Sequence, residues 1–73
     1  MGYHQSKYKV IHVRLYDIKK FDNHLLLKCQ PYDLILNYSN KHYYHICKHI
    51  KVGHEYKFYY YPYLGCSIVH KLL

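Results

Sequence analysis

Apolar side chains recur at every second position along most of this chain, a period that belongs to β-strands rather than helices. In "HLLLKC" (residues 24–29), Leu25, Leu27 and Cys29 share one face, and His24, Leu26 and Lys28 share the other. Asp22-Asn23 supplies turn residues before this run, and Pro31 ends it. "KYKVIHVRLYDIKK" alternates too, but its phase slips. Tyr8 and Val10 lie on one face, then Ile11, Val13 and Leu15 on the other. A phase change of one residue inside a long strand predicts a β-bulge there.

"YDLILNYSNKHYYHICK" reads as a hairpin whose register follows from its apolar residues. A two-residue loop at Ser39-Asn40 would set Leu34 against His45. A three-residue loop, Ser39-Asn40-Lys41, pairs Leu36 with Tyr44 and Leu34 with Ile46, and gathers these four on one apolar face. Asp33, Asn37, Tyr43, His45 and Cys47 take the other face. A helix over residues 42–50 competes, since Tyr43, Ile46, Cys47 and Ile50 also fit helical spacing. The stretch has no Ala, Leu, Glu or Gln and is rich in aromatic and β-branched residues. Strand is therefore preferred, with room for one helical turn near 47–52. After Gly53, "HEYKFYYYP" makes a strand, "YLG" a turn and "CSIVHKLL" a last strand.

Six strands are thus predicted near 8–18, 24–30, 33–38, 42–48, 55–61 and 66–72, with Leu25, Leu27, Leu34, Leu36, Ile46 and Phe58 in the core. Short strands and tight turns within 73 residues predict one all-β domain over residues 1–73, a small, strongly curved antiparallel barrel. A long bulged first strand followed by hairpins resembles the OB-fold in shape, with SH3-like barrels as the neighbouring form. No signature residues of a family accompany that shape. At this size burial yields only about 3–5 kcal/mol net, so such chains often add a metal, disulfides or a partner.

Charge narrows the class of partner. Eleven Lys/Arg stand against four Asp/Glu, a formal +7, which suits nucleic acid, anionic lipid or an acidic protein. Tyr, Lys, Ile and Asn have AT-rich codons, a bias typical of virus-encoded chains, so position says more than count. "MGYHQSKYKV" has no apolar leader, and nowhere do 18 apolar residues run together. An intracellular setting, in a virion or a host cell, with no membrane span is expected. Cys29, Cys47 and Cys66 are odd in number and lack CxxC spacing, against a disulfide framework. Met1-Gly2 with Ser6 meets the loose myristoylation pattern, which Tyr3 fits poorly.

"EYKFYYYPY" (residues 55–63) carries five of the twelve tyrosines. In strand phase Tyr56, Phe58 and Tyr60 face the core, and Tyr60 then needs a partner for its hydroxyl. Lys57, Tyr59, Tyr61 and Tyr63 face outward. His12, Arg14 and Tyr16 are expected beside them on the first strand. Rings among cations suit single-stranded nucleic acid, where a stacked base contributes about 1–3 kcal/mol. They suit a protein interface equally well. The lysines scatter, with Lys7 and Lys9 at one end of the chain and Lys71 at the other. That scatter favours a protein partner in a larger assembly, a viral particle or ribonucleoprotein, over direct nucleic-acid contact. A homo-oligomer is a further option for the partner.

His45, Cys47 and His49 would point the same way on a strand and are the metal-ligand candidates. Zinc sites usually draw ligands from two separated pairs, and this is one cluster, so neither metal nor cofactor is expected. Asp17, Asp22, Asp33 and Glu55 are scattered, and no phosphate-binding glycine loop, nucleophile elbow or HExxH occurs. Cys47 with a histidine on the same strand would point outward in parallel rather than into a pocket. The chain is expected to bind rather than catalyse.

Overall fold

Among the described residues, 7–73 of this computed structural model, five strands close into a barrel in the order β1-β2-β3-β5-β4. They are β1 (Lys9–Lys20), β2 (His24–Gln30), β3 (Leu34–Asn37), β4 (Glu55–Tyr63) and β5 (Cys66–Leu72), with a helix, α1 (Tyr43–His49), between β3 and β4. All pairings are antiparallel except β3 with β5, which run parallel through Ile35 and Ile68. This is a five-stranded Greek-key closure of the OB-like kind. Gly2 and Ser6, which carry the lipidation pattern, lie outside the described residues.

Alternation sets the interior. Ile11, Val13 and Leu15 of β1, Leu25, Leu27 and Cys29 of β2, Leu34 and Leu36 of β3, Phe58 and Tyr60 of β4 and Val69 of β5 are all buried. Each fully buried Leu, Val or Phe contributes about 1.5–3 kcal/mol against the ordering cost of the chain. All six expected core residues are in this cluster. The bulge is real but displaced. Val10 is an ordinary outward residue, and the register slips instead at Tyr16, between the Leu15–Cys29 and Asp17–Lys28 pairs. A second slip leaves His70 unpaired between Val69, opposite Tyr60, and Lys71, opposite Tyr59.

Residues 42–48 are not a strand, and the Ser39–Lys41 hairpin does not form. Tyr44, placed inside by that register, is 85% exposed. Ile46 and Ile50 enter the core instead, with Tyr43 and Cys47 packed against it, which is the helical set. β3 already has a partner on each side, β2 and β5, so no edge is left for a returning strand. The segment must cross to β4 while filling the barrel interior, and a stripe at helical spacing does both. A seven-residue helix is too short to hold alone. Its start is tied down by Asn40. The Asn40 amide donates to the carbonyls of Val69 (2.8 Å) and His70 (3.1 Å), and its Oδ1 accepts from the His42 N–H (2.7 Å). The helical turn expected at 47–52 is thus a longer helix that begins earlier.

Candidate functional site

Outward on β4 stand Lys57, Tyr59, Tyr61 and Tyr63, with Tyr59 and Tyr61 half-buried and the other two exposed. The inward Tyr60 finds its hydroxyl partner in Tyr32, oxygen to oxygen at 2.9 Å. That bond, more than burial, pushes the Tyr32 phenol above its ordinary range. The expected β1 neighbours divide. His12 pairs with Lys57 and Arg14 with Glu55. Both side chains lean towards Glu55, at 3.6 Å for His12 and 3.7 Å for Arg14. Tyr16 sits at the β1 bulge, beyond the pairing with β4. Tyr16 is therefore not part of the tyrosine face.

What covers the tyrosines comes from the two ends of the described chain. The Lys7 ammonium lies 5.1 Å from the Tyr61 ring and 5.5 Å from that of Tyr8. Lys71, opposite Tyr59 on β5, lies 5.6 Å from the Tyr59 ring. These are cation–π distances. Tyr8 stacks on His70 at 4.2 Å and 19°, and meets Tyr61 edge-on at 5.9 Å. A groove of about 360 Å³ runs alongside, lined by Lys7, Tyr8, Asn40, Lys41, Tyr61 and His70 among others. Alternation marks Tyr8 as outward. Nothing local says that β1 and β5 both flank β4, so Tyr8 and His70 are not recognisable as site residues from sequence.

The face is electropositive for a reason visible in the chain. Residues 34–54 and 56–73 contain no Asp or Glu, and Glu55 is engaged by Arg14 and His12. Asp33, the carboxylate nearest in sequence, bonds Lys28 at 3.2 Å. Burial lowers the His70 pKa from its ordinary value, and His42, Lys71, Lys41 and Lys7 lower it further.

A second groove, about 520 Å³, continues past Tyr61. Ile35 and Ile68 are among its lining residues, with Tyr63 and Leu64 of the β4–β5 hairpin and with Asn23 and His24 of the β1–β2 end. The His24 ring stacks on Phe21 at 5.1 Å and 18°. Lys7, Tyr61, Asn37 and Ile68 line both grooves, so the two are continuous.

The expected metal cluster is rearranged by the helix. Cys47 turns towards the core, where its bond with Tyr43 helps burial push that phenol up to about 12. His45 and His49 stay together, one turn apart with ring centroids 4.5 Å apart. No group of three metal donors occurs among the described residues. Burial pushes the Cys29 thiol up to about 11, so it is not a ready nucleophile. No helix of the described residues is long and apolar enough to cross a membrane. No protein-family model matches the chain, and no curated protein or solved structure is similar enough to count as a relative, so its site is read from its own chemistry.

Proposed function

We propose that this chain is a non-catalytic module that binds single-stranded nucleic acid across Tyr59 and Tyr61, with phosphates met by Lys7, Lys41 and Lys71. One observation carries the reading. Lys7 and Lys71, at opposite ends of the described chain, both stand over outward rings of β4. The scatter of lysines along the sequence favours a protein partner, but Lys7, Lys41 and Lys71, far apart in the chain, meet around this one face. Stacking on rings beside cations tolerates any base, so weak sequence preference is expected. Small barrels of this closure commonly bind strands on a sheet face, an analogy of fold.

A second reading keeps the face as a protein interface within a larger intracellular assembly, a viral particle or ribonucleoprotein. Its support is the apolar hairpin tip, where Tyr63 is 60% and Leu64 84% exposed. Salt separates the two. With Lys7, Lys41 and Lys71 each neutralising a phosphate, log affinity for a short oligonucleotide should fall against log salt with a slope of about −2. Tyr59→Ala and Tyr61→Ala should each weaken binding by about 1–3 kcal/mol. Fluorescence anisotropy across a salt series reads both effects. No oligonucleotide binding, together with a co-purifying protein lost in the tyrosine variants at any salt, would decide for the second reading.

A further inference from the structure

We infer that Leu64 is a ligand-contacting residue, the apolar edge against which a base packs as a bound strand passes from Tyr61 into the second groove. The inference rests on the reading of the Tyr59–Tyr61 face as strand-binding. The β4–β5 turn has two residues, Leu64 and Gly65, between the paired Tyr63 and Cys66. Both have positive φ, +50° for Leu64 and +78° for Gly65. Turns of this form favour Asn, Asp or Gly at the first position, because a Cβ crowds the backbone in the left-handed region. Leucine there is strained, and its side chain is 84% exposed, so no core contact compensates. A residue unsuited to its turn and without packing of its own is a feature of the surface rather than of the fold.

The surroundings indicate what it meets. Leu64 lines the second groove with Tyr63, Ile35 and Ile68, while Asn23 and Asn37 bring amide groups. Apolar surface with polar groups among it matches a nucleobase, flat and apolar on its faces and polar at its rim. At about 520 Å³ the groove has room for one. Lys7 and Tyr61 line this groove and the first alike, so one strand can occupy both.

The test uses the full chain as Leu64→Asn and Leu64→Gly, both suited to positive φ, with a fluorescein-labelled oligothymidylate and thermal melts. Both variants should melt at or above the temperature of the unmodified protein, yet bind at least about fivefold more weakly, as expected when a leucine loses part of its burial. Unmodified affinity in both variants would overturn the inference and leave the Tyr59–Tyr61 reading intact. So would a lowered melting point in both, which would make Leu64 a structural residue. If the unmodified protein binds no oligothymidylate, the underlying reading fails, and the inference with it.

Discussion

His70 shows how much a single position in this barrel depends on neighbours from elsewhere in the chain. The β5 irregularity leaves it out of the ladder, Tyr8 stacks on its ring, and His42 lies edge-on at 6.0 Å. Burial first, then His42, Lys71, Lys41 and Lys7, hold its pKa below the ordinary value of 6.5. The unfolded chain therefore takes up this proton more readily than the folded one. Its contribution to stability is present at neutral pH and lost progressively as pH falls below about 6.5. A bound phosphate would offset the repulsion and favour the protonated ring. Oligonucleotide affinity should then rise several-fold between about pH 8 and pH 6, and His70→Gln should flatten that rise. Anisotropy titrations at the two pH values check this. The same slope in both proteins would remove His70 from the site.

At the scale of elements, α1 depends on Asn40 more than on its own sequence. One side chain closes the turn before the helix and binds two carbonyls of β5 where that strand slips. Removing it takes away the hydrogen bonds it gives to those two carbonyls and accepts from the His42 N–H. Asn40→Ala should therefore cost about 1–3 kcal/mol of stability, more than a surface substitution usually does. Urea unfolding followed by circular dichroism measures it, and a change within about 0.5 kcal/mol would mean that Ile46 and Ile50 anchor the helix unaided. Local propensity in "HYYHICKH" favours a strand, but β3 is paired on both sides and offers no free edge to receive one.

For the whole molecule, the balance lies between a small core and a large positive charge. The buried residues form one apolar cluster, and no buried side-chain polar atom among the described residues lacks a partner. The histidine pair on α1 is at the surface, apart from this core. Excess EDTA should leave the melting curve unchanged, and mass spectrometry under native conditions should show the bare chain mass. Unfolding on chelation with release of a stoichiometric metal would overturn this. The excess of positive charge also has a consequence for handling. With formal charge +7, the protein should bind polyanions at low salt and release them as screening sets in near 0.15 M.

The period of two was enough to place Leu25, Leu27, Leu34, Leu36 and Phe58 inside, to turn Lys57, Tyr59, Tyr61 and Tyr63 out, and to require a partner for the Tyr60 hydroxyl. Those are properties of a single pleated strand, written in the order of its own side chains. Which hydroxyl answers Tyr60, where β1 slips and why residues 43–49 coil depend on which strands become neighbours. β3 and β5 pair although α1 and β4 lie between them in the chain, and alternation within a strand carries no information about its partner. The candidate site divides in the same way. Its rings belong to β4 and could be read there, whereas Lys7, Tyr8, His70 and Lys71 join them only because closing the barrel sets β1 and β5 on either side of β4.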